Sequence, residues 1–259
     1  MPTEKPASFQ AIDRACLVLE TIADQGQMSL NDLHTRLKLN KASLSRIVLS
    51  LTENGFLNRD EKSGEYSLSL KLFEIGVKAT KATNYPRLIT SELEKLASSL
   101  QVVAQFSVED NGELLCLQSI DPENMNSFSV YTSVGGRSPL YATSAGKAIL
   151  STYTNEEIME KWNTFHVKTI TPHTLTTLDA LLQDIAETRK RKYAVDHEET
   201  EPNLFCIGAV IMNYTNRPIG AISLSAHSLT AEEEKHYSEE LLKSVQLLSA
   251  SMGYTGPVR

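Results

Sequence analysis

Apolar residues recur at helical spacing in two short, adjacent windows near the start of the chain. Leu30, Leu33 and Leu37 form one stripe, and Leu44, Ile47, Val48 and Leu51 form a second at i, i+3, i+4 and i+7. Ser29 is placed to cap the first helix, with Asp32 at its third position and Met28 and Leu33 at hydrophobic-staple spacing. Asn40 starts the second, where Leu39 and Leu44 repeat the staple and Lys41 opens the helix; Gly55 ends it as a C-terminal glycine does. Leu57, Arg59, Tyr66 and Leu68 then bracket Asp60-Glu61-Lys62-Ser63-Gly64, the pattern of a hairpin. Ahead of these, Ile12, Cys16, Leu19 and Ile22, with Ala15 and Ala23, predict one buried helix face over residues 9–24. The set predicts a winged helix-turn-helix over residues 9–68, preceded by a disordered arm at 1–8.

The outer face of the second helix carries Ala42, Ser43, Ser45, Arg46 and Ser50. Small hydroxyls and one arginine allow a backbone to come close to base edges and phosphates, which points to major-groove DNA. The expected DNA contacts are Lys41, Ala42, Ser43, Ser45 and Arg46 on the helix, with Arg59 and Lys62 on the wing.

Further along, Leu70 to Ala79 has apolar residues on more than one face, which predicts a linker helix within 69–83 that packs against both domains or a second copy of itself. Leu88, Ile89, Leu93, Leu96 and Leu100 mark another helix. Val102, Ala104, Phe106 and Val108 alternate as a strand ending at Asp110-Asn111-Gly112, a hairpin signal. Leu115, Leu117 and the segment from Ser127 to Val134 continue an antiparallel meander. A small-residue loop follows, then helices around 145–153, 155–162 and 178–192, strands at 205–213 and 219–226, and a last helix over 231–251 begun by Thr230 and Glu233. Helices covering one antiparallel sheet make residues 84–259 an α+β domain.

Two segments of this second domain carry candidate chemistry. Gly135 to Lys147 runs from small residues straight into a helix, whose free N–H groups favour a carboxylate. Tyr193 to Glu199 is followed by Cys206, and Ser223 and Ser225 sit two apart on a strand, so both hydroxyls face one side.

Charge separates the two parts. Residues 1–83 hold 11 Lys+Arg against 10 Asp+Glu and residues 84–259 hold 14 against 22, so the formal net charge of −7 belongs to the second part. A near-neutral DNA reader is weak alone, and pairing two of them doubles the phosphate contacts, so an oligomer is expected. Cys16, Cys116 and Cys206 are odd in number and widely spaced, as reduced thiols are. With no apolar leader and no run of eighteen apolar residues, the chain is expected in the cytoplasm and off the membrane.

An enzyme carrying an accessory winged helix, metal-dependent or merely small-molecule-binding, is the alternative class. Asp196, His197, Glu198 and Glu199, with His166 and His173, offer ligands or an acid/base pair. Adjacent residues of an extended segment point to opposite sides, so at most half of the first four converge. There is no H-E-x-x-H, G-x-S-x-G or P-loop, so no catalytic residue, metal ligand or cofactor is assigned. A winged helix used for protein contacts without DNA is the third class.

Nearly the whole chain resembles the IclR family of bacterial transcriptional regulators. The likeness rests on LNKASLSRIVLSLTENGFL in the winged helix, on SLSLKLFEIG in the linker, and on GGRSPLYATSAGKAIL, YAVDHEETEPNLFCIGAVI and RPIGAISLSA in the second domain. It implies an N-terminal winged helix, a linker helix and a GAF-like C-terminal domain that binds a small organic acid. It further implies dimers or tetramers acting on palindromic double-stranded operators, mostly as repressors. In such a site the acid's carboxylate falls on Ser144 and Ala145, and the remaining contacts fall on Asp196, Cys206, Ser223 and Ser225. The pattern is closest to members that sense sugar acids or related catabolites. Asn203, where a glycine is common, and Phe205, where a small polar or basic residue is frequent, depart from it and predict an altered loop beside the pocket.

Overall fold

The computed structural model describes residues 10–82, 87–122 and 133–256. The predicted arm at 1–8 lies outside them. The chain divides into two compact units, residues 1–85 and 86–259.

In the first unit, α1 (Gln10–Gln25), α2 (Leu30–Leu37) and α3 (Lys41–Glu53) enclose a core of Val18, Ile22, Met28, Leu33, Leu44, Val48 and Leu57. The starts of α2 and α3 form where the local chemistry places them. The Ser29 hydroxyl accepts from Asp32 N and the Asp32 carboxylate accepts from Ser29 N, a reciprocal cap that satisfies two otherwise orphaned donors. Asn40 Oδ1 accepts from the N–H groups of Ala42 and Ser43. At the far end of α3, Gly55 takes φ +77°, and Phe56 N reaches back to Leu51 O at 2.8 Å.

The face of α1 differs from the sequence reading. Val18 and Ile22 are buried, with Ala15 and Leu19 half-buried, whereas Ile12 and Cys16 are exposed. Two apolar stripes offset by less than a turn compete on this helix, and α3 and the wing, which pack against it, select the one centred on Val18.

Strands β1 (Leu57–Arg59) and β2 (Tyr66–Leu68) form the wing, and Met28 bridges to β2 through two hydrogen bonds with Tyr66. Helix α4 (Leu70–Ala82) follows, with Leu70, Phe73 and Ile75 exposed.

The second unit is built on one antiparallel sheet ordered β5-β4-β3-β8-β7-β6. Its strands are β3 (Val103–Asp110), β4 (Glu113–Ile120), β5 (Arg137–Pro139), β6 (Ala194–His197), β7 (Phe205–Met212) and β8 (Pro218–Ala226). The β3–β4 turn uses Asn111 and Gly112, both at positive φ, as a tight hairpin with matching twist requires. The expected strand segment 127–134 falls mostly on residues 123–132, outside the described ones; Ser133 and Val134 lie in a turn. The next strand, β5, comes instead from the stretch read as a small-residue loop.

Helices α5 (Arg87–Leu100) and α9 (Ala231–Ser251) pack together and on the sheet's apolar side, and Ser244 donates to the buried Glu92 carboxylate at 2.7 Å between them. Helices α6 (Ser144–Leu150), α7 (Asn155–Trp162) and α8 (Leu178–Arg191) form the other layer around Leu140, Ile149, Ile158, Leu181 and Ile185. With helices on both sides, β3 is buried on both faces from Val103 to Ser107, which its alternating pattern concealed. Among the described residues no helix is long and apolar enough to cross a membrane.

Candidate functional site

Directly paired residues of an antiparallel sheet share a side, so the register alone assembles a polar row. Asp196 pairs with Cys206, which pairs with Ser225; Gly208 pairs with Ser223, which pairs with Gln105. All stand on the side that receives α6. The absence of a side chain at Gly208 lets α6 come down onto the sheet: a Cβ there would lie 2.6 Å from Ser144 C and 2.7 Å from Ala145 N. Thr143 caps this helix from Gly146 N, leaving the N–H groups of Ser144 and Ala145 in the first turn, which has no intrahelical acceptors.

Between the row and the helix lies a cavity with a free volume of about 40 Å³. Ser144, Ala145, Asp196, Cys206, Ser223 and Ser225 all line it, so four separate elements bring together every residue expected at the acid site. Gln105, Ser107, Cys116, Ser138, Thr143 and Thr200 complete its polar wall. Gln105 and Ser107 were invisible to sequence reading because β3 looked like a strand buried on one face only.

Asp196 is the buried charge of this wall, about 1% exposed. Its Oδ1 accepts from Glu199 N at 2.7 Å and its Oδ2 from the Thr200 hydroxyl at 2.8 Å. Burial raises its pKa to about 6 despite those bonds and the positive charge of Lys147. Burial likewise pushes the Cys206 thiol up, and its sulfur lies 3.2 Å from Ser225 Oγ.

Lys147, three residues into α6 from Ser144, is wholly buried. Its Nζ lies 2.5 Å from Glu199 Oε1 and 3.1 Å from Asp184 Oδ2, and Arg191 approaches the other oxygen of Asp184 at 3.7 Å. Burial raises Glu199 to about 7, opposed by Lys147 and assisted by the negative charges of Asp196 and Asp184. Glu199 Oε2 is buried with no hydrogen-bond partner among the described residues. Lys147, Asp184 and Glu199 were not anticipated as a cluster; a lysine within a helix reads as surface unless its distant partners are known.

The turn that places Glu199 starts at Glu198, φ +57°, and its backbone is tied by the hydroxyls of Thr171 and Thr174 to the carbonyls of residues 198 and 199. Asn203 takes φ +60°, the left-handed conformation asparagine tolerates and glycine favours, and its N–H donates to Glu198 Oε1. Phe205 stacks edge-on against exposed His197 and does not line the cavity. Asp196 and Glu199 converge while His197 faces out, and among the described residues no group of three or more His, Cys, Asp or Glu side chains is placed to hold a metal.

Two family models match the chain: "IclR helix-turn-helix domain" over residues 11–61 and "Bacterial transcriptional regulator IclR C-terminal" over 77–250. The chain belongs to the IclR family. Its relatives include the HTH-type transcriptional regulator KdgR of Escherichia coli (strain K12), 26% identical over 97% of this chain and 95% of that protein. Among solved structures, the Thermotoga maritima IclR superposes with a TM-score of 0.78 at 24% identity, over 95% of this chain and all of that one. An IclR homolog from Microbacterium hydrocarbonoxydans, complexed with 4-hydroxybenzoate, gives 0.81 at 21% identity over 94% and 99%. This IclR-family protein is therefore a DNA-binding transcriptional regulator rather than an enzyme.

In the regulator's first unit, α3 exposes Lys41, Ala42, Ser45, Arg46 and Ser50. Ser43 departs from this set: it is half-buried and accepts a hydrogen bond from Arg14 of α1 at 3.3 Å. Lys41 Nζ donates to Asn31 Oδ1 of α2 at 2.6 Å. On the wing, the Asp60 carboxylate accepts from the N–H groups of Lys62 and Ser63, which lowers its pKa and folds the tip so that Lys62 stands exposed; Arg59 lies over the Tyr66 ring. Leu49, 57% exposed one turn beyond Arg46 and Ser45, was missed by a reading that sought only polar residues on the outer face.

Proposed function

We propose that this regulator binds palindromic operators as a homodimer or homotetramer, and that a small organic acid in the α6 cavity sets its operator affinity. The convergence of Ser144, Ala145, Asp196, Cys206, Ser223 and Ser225 on one cavity carries the reading. First-turn N–H groups and hydroxyls supply donors for a carboxylate, and the sheet row supplies partners for a hydroxyl or keto oxygen. That a homolog holds 4-hydroxybenzoate, also an acid, supports the ligand class.

Operator contact falls on Lys41, Ala42, Ser45 and Arg46 of α3, with Arg59 and Lys62 of the wing approaching phosphates. Ser43 acts in the same surface through its bond with Arg14, as a brace rather than a free reader. Exposed Leu70 and Phe73, neighbours at i and i+3 on α4, supply an apolar patch for a second copy, which pairs two otherwise weakly charged readers; Ile75 is exposed on the opposite side of the helix. A reader of operators works in the cytoplasm, here as a repressor of a catabolic operon whose substrate or intermediate is the acid.

A thermal-shift screen of short hydroxy and keto acids tests the pocket, because a ligand bound only by the folded state raises its stability. Stabilisation by at least one acid, lost on Ser223→Ala, is expected. No stabilisation by any acid across the millimolar range contradicts the proposal.

A further inference from the structure

The turn between α2 and α3 contains a left-handed residue that is not glycine. Lys38 takes φ 53° and ψ 28°, a conformation in which a Cβ crowds the following carbonyl oxygen and which glycine adopts freely. Leu37 and Leu39 on either side of it pack half-buried side chains against the core of the first unit.

One residue of α2 holds both sides of this turn. The His34 carbonyl accepts from Lys38 N at 3.0 Å, and the His34 ring places Nδ1 2.7 Å from Leu39 O. A carbonyl oxygen only accepts, so Nδ1 carries the proton in this bond. Histidine near a helix C-terminus is suited to holding carbonyls that the helix leaves over. Here the carbonyl belongs to the residue directly before Asn40, whose Oδ1 caps α3 from Ala42 N and Ser43 N. Fixing Leu39 O therefore fixes the peptide that enters the cap, and with it the direction in which α3 starts. A second link across the corner, from Lys41 Nζ to Asn31 Oδ1 at 2.6 Å, joins two exposed side chains, one of them long, and restrains the corner less.

We propose that His34 is a positioning residue for operator recognition: its ring, bonded to Leu39 O, sets the orientation of α3 without itself contacting DNA. The two kinds of DNA contact respond differently to its loss. Phosphate contacts made by flexible Lys and Arg side chains absorb a small tilt of the helix, whereas hydrogen bonds to base edges depend on distance and angle. Loss of the His34 bond thus removes sequence preference and leaves the sequence-independent attraction in place. General destabilisation of the unit lowers both alike.

The test uses the full chain with a duplex selected by the wild-type protein from a random-sequence library, beside a scrambled duplex of equal length and composition. His34→Ala removes the donor. His34→Asn returns it, because the asparagine amide nitrogen stands as many bonds from Cα as Nδ1 does, whereas His34→Gln carries its amide one bond further out. Affinity for the selected duplex is expected to fall about tenfold in His34→Ala and His34→Gln, as for one lost base contact, with affinity for the scrambled duplex within about twofold of wild type. His34→Asn stays within about threefold of wild type on both duplexes. If His34→Ala fails to fold, the Asn and Gln variants make the same comparison. An unchanged ratio of the two affinities in the variants lacking the donor, whether both affinities hold or both fall, overturns the proposal. So does a His34→Asn variant that binds the selected duplex no better than His34→Gln.

Discussion

Lys147 and Glu199, 52 residues apart, form an ion pair of 2.5 Å in which both side chains are almost wholly withdrawn from solvent. The pair joins the helix that caps the cavity to the turn that follows Asp196, so the two halves of the pocket wall are fastened at their backs. Removing one partner strands a buried charge. Lys147→Met should cost about 3–5 kcal/mol of stability, measured by urea denaturation. Adding Glu199→Gln to that variant should recover part of the loss, since it removes the stranded carboxylate. Equal stability of Lys147→Met and wild type would dissolve the fastening role.

Asp196 and Glu199 also give stability a sign in pH. Their folded values, about 6 and about 7, stand above the ordinary 3.8 and 4.5. Between about pH 4 and 7 the folded chain therefore holds protons that the unfolded chain has released, and stability falls as pH rises through that window. Their stabilising contribution is complete below the unfolded values and lost above about pH 7. Denaturation midpoints measured across this range should show a steeper fall for wild type than for Glu199→Gln, with the difference largest toward the upper end.

Gly208 is the contact point between sheet and α6. Its backbone φ is ordinary, and the constraint is space: a methyl group would strike the main chain of Ser144 and Ala145, which cannot rotate away. Gly208→Ala should lift the helix start, cost about 1–3 kcal/mol, and abolish acid-induced stabilisation in a thermal-shift assay. Retained acid response in this variant would show that the helix start is not part of the pocket's function.

On the DNA side, Arg46→Ala should weaken operator binding by about 1–3 kcal/mol, the usual worth of a base contact. Arg59→Ala and Lys62→Ala should each weaken all sequences alike and reduce the salt dependence of binding by about one unit of slope. Leu49→Ser should relax preference at a single position, because an exposed apolar side chain in the groove reads a thymine methyl. Competition with scrambled duplexes over a range of salt distinguishes these outcomes.

What could be read from the sequence was chiefly local. Ser29, Asn40 and Thr230 mark helix starts because a cap is made by residues two or three positions away, and all three cap in the structure. Hairpin chemistry at Asn111-Gly112 is equally local. The family motifs placed the six cavity residues before the strand register that unites them was known.

Long-range choices were not legible. On α1 the burial of Val18 in place of Ile12 and Cys16 depends on what α3 and the wing present to it. The burial of Lys147 depends on Glu199 and Asp184, and the two-sided burial of Gln105 and Ser107 depends on helices far along the chain. β5, three residues long at a sheet edge, is below the length at which alternation can be recognised.

Occupancy of the α6 cavity can change operator affinity only if the acid binds DNA-free and DNA-bound protein differently. The direct measurement is a titration of the regulator onto its operator with and without the acid that stabilises it, for wild type and Ser223→Ala. A several-fold change in operator affinity for wild type, absent in Ser223→Ala, is the expected result. An acid that binds tightly yet leaves wild-type operator affinity unchanged would contradict the account.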